Sequence, residues 1–124
     1  MESIDQNQYR DVWEGYCAVW RPQSAVQRRE QFSRVLSQQC IYRDPLTQCQ
    51  GWDELSAYIE DFQRQFPGCY FVTAWFHTHH ARAAVRWHMC GPDGSALSEG
   101  VSYVEFDGEG KLISMNGFFE TGAP

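Results

Sequence analysis

The sequence predicts an α+β fold with its helices segregated onto one face of an antiparallel sheet. Three observations carry that expectation. Up to Pro67-Gly68, apolar side chains recur at helical spacing in segments broken by proline and glycine. From Tyr70 onward the chain becomes a series of β-rich runs separated by turn residues. The last two runs flank Asp107-Gly108-Glu109-Gly110, which can supply the positive φ angles of a short hairpin loop.

In chain order, Ser3-x-x-Gln6 reads as a capping box for a first helix. Tyr9, Trp13, Tyr16 and Trp20 then recur at spacings of four, three and four, which gathers four aromatics on one helical face. Such a stripe packs on a sheet or lines a cavity, and Tyr16 would add a hydroxyl to either. Pro22 ends this helix, and Ser24-x-x-Gln27 opens a second that turns Ala25, Phe32, Val35 and Leu36 inward and Gln27, Arg28, Arg29 and Glu30 outward. Cys40 to Asp44 reads as a short strand stopped by Pro45. A third helix follows Gly51, with Asp53 and Glu54 in the first turn, where the dipole favours acids. Its apolar stripe is Leu55, Tyr58, Ile59, Phe62 and Phe66.

A four-stranded meander completes the chain. Tyr70–His79 and Ala83–Cys90 are joined at His79-His80-Ala81-Arg82, and Gly91-Pro92-Asp93-Gly94 turns into the final hairpin. From Gly100, alternation puts Val101, Tyr103 and Glu105 on one face and Ser102, Val104 and Phe106 on the other. On the return run Leu112, Ser114 and Asn116 oppose Ile113, Met115 and Gly117.

The 124 residues suit one domain, 1–124, that buries roughly two-thirds of its unfolded surface. A net charge of −6 argues against nucleic acid and anionic membranes as partners, because both reward a basic face. No apolar run approaches the length of a membrane span, and the N-terminus lacks the profile of a secretory signal. Five scattered cysteines without a Cys-x-x-Cys pair read as free buried thiols in a reducing, cytoplasmic setting. No Gly-x-Gly-x-x-Gly or Walker-type loop is present, so a cofactor phosphate site is unsupported.

Asp44, at a strand end, either moves protons from an apolar cavity or bonds the backbone of its own Asp-Pro turn. His77, His79 and His80 could share a metal with His88, but no acid or cysteine joins them at ligand spacing, and no metal is expected. His88 reads as facing a cavity or an interface. Ser102 reads as a polar wall residue rather than a nucleophile, since no strand-to-helix turn follows it. Arg82 and Arg86 would pair with Glu99 or Glu105 on a neighbouring strand.

Five words in order carry a family resemblance: Tyr42-Arg-Asp-Pro45, Gly51 through Phe66-Pro-Gly68, Val85-Arg-Trp87, Gly100-Val-Ser102, and Phe106-Asp-Gly-Glu-Gly-Lys-Leu-Ile113 running to Gly117-Phe-Phe119. They resemble the nuclear-transport-factor-2-like superfamily, and within it the SnoaL-like and ketosteroid-isomerase-like proteins. The resemblance implies a cone-shaped α+β barrel, a curved sheet wrapped around three helices with a deep apolar pocket. It also implies a homodimer through the convex sheet face, here Val101, Tyr103, Arg86 and His88. The ketosteroid isomerase base falls on Asp44 and its protonated Asp on Ser102, where serine is a weaker donor; that enzyme is a standard example of tuned carboxyls. Trp13 and Tyr16 compete for the oxyanion position on the first helix. The function so implied is cofactor-free acid–base chemistry on a small, largely apolar oxygenated molecule, of isomerase, dehydratase, cyclase or hydrolase type. Asp44, Tyr16 and Ser102 would be catalytic, and Trp13, Tyr42, Trp87, Met115 and Phe119 would bind the ligand. The alternative is a non-catalytic dimeric binding or scaffold protein of the same fold.

Overall fold

A computed structural model describes residues 5–121. The helices are α1 (Gln6–Ala18), α2 (Ala25–Val35) and α3 (Gly51–Gln65). The strands are β1 (Leu36–Asp44), β2 (Thr47–Gln50), β3 (Tyr70–His79), β4 (Arg82–Cys90), β5 (Ala96–Phe106) and β6 (Leu112–Phe118). They form one six-stranded sheet in the order β2-β1-β6-β5-β4-β3. The fold is thus α+β, with a curved sheet that does not close.

Two features of the sheet differ from the expected meander. The strand expected at Cys40–Asp44 begins at Leu36, directly after α2, and turns at Pro45-Leu46 into β2, a short strand that a run of Thr-Gln-Cys-Gln does not announce. The last strand, β6, pairs parallel with β1 as well as antiparallel with β5, so the sheet is mixed. A parallel pair needs a long crossover, and everything from β2 to β5 supplies it.

The first helix is capped by Asp5, whose carboxylate accepts the Gln8 N–H while the Gln8 side chain returns to the Asp5 N–H. The cap expected at Ser3 lies outside the described residues. The Ser24–Gln27 box of α2 forms as expected. On α2, however, Ala25 is exposed and Arg28 is buried, at 1 % exposure. The reason is tertiary. Arg28 Nε and Nη2 donate to the carbonyls of Val19 and Gln23 (both 3.3 Å), and Nη1 donates to Ser56 Oγ at 3.1 Å. The side chain thereby ties the end of α1 to α2 and α3. Five donors in a fixed fork make arginine able to do this, and helical periodicity cannot foresee it.

The hairpin between β3 and β4 turns at His80 and Ala81, both in the left-handed region (φ 50° and 59°), as a two-residue loop of matching twist demands. Alternation on β5 is as expected, with Ser102, Val104 and Phe106 buried. On β6 it breaks. Glu105 faces Ser114 and Phe106 faces Leu112, so Ile113 is an extra residue. The bulge turns Leu112 and Met115 to the same, buried side, where simple alternation opposes them. Similar register shifts in β3–β4 and β4–β5 accompany the bend of the sheet.

Gly100 shows why its strand lacks a side chain there. A Cβ at this position would lie 2.4 Å from Trp87 Cζ2 and 2.8 Å from the Phe118 carbonyl. The Trp87 indole therefore occupies the space that a side chain on Gly100, its direct cross-strand partner, would need, and it reaches the next inward residue, Ser102.

Candidate functional site

Between the helices and the concave sheet face lies a cavity of about 540 Å³. Ten of its lining side chains are aromatic. The stripe on α1 supplies Trp13, Tyr16 and, just past the helix end, Trp20. Trp20 is the hub, with its ring centroid 5.5–6.4 Å from those of Tyr16, Tyr42, Tyr58, Phe62 and Phe71. Its backbone is held as well: the Gln63 amide donates to the Trp20 carbonyl at 2.7 Å. Trp13 is anchored through its indole N–H to Thr73 Oγ1 on β3 (2.9 Å). Both competitors for the helix-one position, Trp13 and Tyr16, thus face the same cavity.

The polar corner is built around Asp44. Its Oδ1 accepts the backbone N–H groups of Leu46 (2.8 Å) and Thr47 (3.1 Å), which closes the turn into β2. Its Oδ2 accepts the hydroxyls of Tyr42 (2.6 Å) and Tyr58 (2.7 Å). Asp44 therefore bonds the backbone of its own turn, one of the two readings from sequence, and it also lines the cavity. Tyr42 reaches Asp44 because residues two apart on a strand share a face. Tyr58 comes from the middle of α3, fourteen positions away, and only the packing of α3 on β1 brings it there.

Ser102 sits across the corner. It is 8 % exposed, lines the cavity and accepts the Trp87 indole N–H at 3.0 Å, leaving its own proton free to donate into the cavity. Gly117, its partner on β6, separates it from Asp44. Trp87, Tyr42 and Phe119 line the wall as expected, but Met115 does not: it is buried at 1 % exposure within the core and outside the cavity lining. At the cavity's edge Leu46, Phe66 and Leu97 remain exposed.

The histidines lie elsewhere. His79 and His80 meet at the β3–β4 turn, Nδ1 to Nδ1 2.9 Å, and His77 is exposed on β3. His88 is on the outer face of β4, with Nδ1 3.8 Å from Glu99. Arg86 also pairs with Glu99, at 3.2 Å, as cross-strand proximity suggested. Among the described residues no group of three or more metal-ligating side chains gathers at a binding distance. All five cysteines are free and buried, and burial pushes the Cys40 thiol up to about 11.

Burial raises the phenols of Tyr16, Tyr42 and Tyr58 above the ordinary value of 10.0; for Tyr42 and Tyr58 the bond to Asp44 adds to it. All three thus stay neutral donors at neutral pH. In the unfolded chain they would ionise near 10, so their contribution to stability is complete below that pH and is lost as the pH rises beyond it. Alkaline titration should show tyrosinate absorbance from these groups appearing together with loss of the circular dichroism signal. Complete tyrosine ionisation with the fold intact would contradict this.

The profile of the SnoaL-like domain matches residues 13–115, most of the chain. The chain belongs to the SnoaL-like family. A candidate isomerase of that family from Agrobacterium tumefaciens str. C58 superposes on this SnoaL-like protein with a TM-score of 0.84 and 28 % identity, covering 93 % of this chain and 99 % of the other. A candidate SnoaL-like polyketide cyclase from Jannaschia sp. CCS1 does so with a TM-score of 0.74 and 12 % identity, over 97 % and 92 % of the chains. A nuclear-transport-factor-2-like protein of unknown function from Exiguobacterium sp. 255-15 gives 0.70 at 14 % identity, over 89 % and 98 %. The last two likenesses speak for the fold alone. No curated protein matches the SnoaL-like chain in sequence.

Of the residues lining the cavity, the candidates drawn from sequence included Asp44, Ser102, Trp13 and Tyr16 but not Tyr58, Trp20, Phe71 or Gly117. Tyr58 carried a signal: a hydroxyl in an otherwise hydrocarbon stripe wants a partner when buried. Gly117 carried none, because its meaning depends on which strands flank it.

Proposed function

We propose that this protein is an acid–base enzyme that uses its own side chains on a small, largely apolar oxygenated molecule. The observation that carries the reading is the Asp44 carboxylate, gripped by two tyrosine hydroxyls at the polar corner of an aromatic cavity. Asp44 takes and returns the proton, while Ser102 and Tyr16 donate hydrogen bonds to a ligand oxygen. The aromatic wall of Trp13, Tyr42, Trp87 and Phe119 excludes water, which strengthens those few polar contacts. A reaction of isomerase, dehydratase or cyclase type suits this set, and the Agrobacterium neighbour, described as a candidate isomerase, supports the first of these. The test is a screen of uncharged carbonyl and hydroxyl compounds for turnover, followed by Asp44→Asn on any that react. Turnover that survives the substitution would exclude the role given to Asp44.

One observation favours a second reading, a binding protein without chemistry. Four donors already occupy the two oxygens of Asp44, about as many as a carboxylate can accept. In that case Asp44 serves to aim Tyr42 and Tyr58 at a ligand.

We further propose a homodimer in the cytoplasm, joined through the outer sheet face that carries Val101, Tyr103, Arg86 and His88. Tyr103 is 37 % exposed there, and exposed Phe118 pairs beside Val101. Sedimentation equilibrium should return twice the mass of one 14.4 kDa chain, and Tyr103→Glu should return one. A monomeric wild-type protein would rule the interface out.

A further inference from the structure

One side-chain cluster lies outside the cavity and has no part in the chemistry proposed there. At the β3–β4 turn the Nδ1 atoms of His79 and His80 stand 2.9 Å apart, with the two rings nearly perpendicular at 81°. Both side chains are exposed, so core packing does not hold them in place. The backbone of the turn does. His80 and Ala81 are its two left-handed residues, at φ 50° and 59°. Thr78 Oγ1 donates to the Arg82 carbonyl (2.7 Å), Arg82 Nε to the His80 carbonyl (3.3 Å), and the Phe106 N–H to the Ala81 carbonyl (2.9 Å). His77 shares the face of β3 that carries His79, but its ring packs against Trp75, with centroids 5.0 Å apart.

We propose that this pair is a chelating site for a divalent copper or nickel ion, bound by the Nδ1 atoms of His79 and His80. The separation carries the argument. With metal–imidazole bonds of about 2.0–2.1 Å, two nitrogens at a right angle stand about 2.9 Å apart, and two at the tetrahedral angle about 3.4 Å. The pair therefore has the bite of adjacent positions in a square-planar or tetragonal shell, the geometry that copper(II) and nickel(II) prefer. Among the described residues no third metal-ligating side chain joins the pair, which argues against a structural zinc centre. Copper(II) and nickel(II) take imidazole without one, and solvent completes the shell around two exposed rings. Two neutral rings at this distance share one Nδ1 proton. As the metal arrives, the ring that carries the proton moves it to its own Nε2, so both Nδ1 lone pairs meet the ion and no net proton is lost. Arg82, the nearest cation in sequence, stands opposite Glu105 on β5, which offsets its charge. A net charge of −6 on the chain further favours the approach of a cation. The fixed turn lowers the ordering cost of binding.

The test titrates copper(II), nickel(II) and zinc(II) into the full chain by calorimetry, with glycine as a weak competing chelator. Wild-type protein should take up one copper ion per chain, and electron paramagnetic resonance should show two equatorial imidazole nitrogens on it. Nickel(II) should bind more tightly than zinc(II), whose tetrahedral preference asks for the wider bite. His79→Gln and His80→Asn should each weaken copper binding by at least roughly tenfold with an unchanged melting temperature. Asparagine is chosen at residue 80 because it tolerates the left-handed conformation. His77→Gln should change the affinity by less than about twofold, since that ring stands apart from the pair. Copper affinity unaltered in the His79 and His80 variants would overturn the proposal and leave a hydrogen-bonded pair only. So would a spectrum with fewer than two imidazole nitrogens, or zinc bound more tightly than nickel. An equal loss in His77→Gln would do the same. The wild-type spectrum counts the ligands without any substitution, so the outcome does not depend on how a variant folds.

Discussion

Asp44→Asn is expected to lower kcat by about 10²- to 10⁴-fold, the range in which a positioned proton-transfer group contributes. The substitution removes the proton acceptor with little change of shape. If the remaining carbonyl oxygen keeps the Leu46 and Thr47 N–H bonds, the turn into β2 survives. The amide nitrogen then faces Tyr42 and Tyr58, whose hydroxyls can rotate from donating to accepting. Both phenols stay neutral because burial raises them. Fold and binding should therefore persist while proton transfer stops. The measurement is a pair: kcat by steady-state kinetics and ligand affinity by calorimetry. A parallel fall in both would show that Asp44 holds the ligand rather than acts on it.

Arg28→Met is expected to cost about 3–5 kcal/mol of folding stability, the scale for removing one member of a buried charged network. Methionine keeps much of the apolar stem, so the loss isolates the guanidinium. Three acceptors lose their donor: the Val19 carbonyl at the end of α1, the Gln23 carbonyl ahead of α2, and Ser56 Oγ on α3. An unsatisfied buried polar group costs about 1–3 kcal/mol, so two carbonyls alone account for most of the total. The contact with Glu60, at 3.5 Å, adds little because that carboxylate is 42 % exposed. Equilibrium denaturation in urea measures the change, and a loss below about 1 kcal/mol would show that water replaces the guanidinium. The consequence reaches the site. Val19 precedes Trp20, whose ring meets five others in the cavity wall, so a loosened Val19 carbonyl should also weaken ligand binding.

What was readable from the residues alone was whatever neighbours in the chain decide. The Ser24–Gln27 cap, the ends of α3, the aromatic face of α1 and the inward set Ser102, Val104 and Phe106 follow from local periodicity and local hydrogen bonds. These are governed by backbone geometry over a few positions, which one chain segment determines by itself. Family likeness added Asp44 and Ser102 as the pair to watch.

Tertiary structure alone decided which of those residues meet. Arg28 stands at an outward-looking position, yet three acceptors from two other segments draw it inside. Met115 was expected in the wall, but the bulge at Ile113 accompanies its burial in the core. The insertion of β6 between β1 and β5 brings Asp44, Gly117 and Ser102 side by side, although they come from three separated segments. Tyr58 joins them only because α3 packs over β1. Strand register and helix docking are set by the summed burial of many side chains, not by any one of them. A site assembled across elements has no local trace beyond the chemistry of its members.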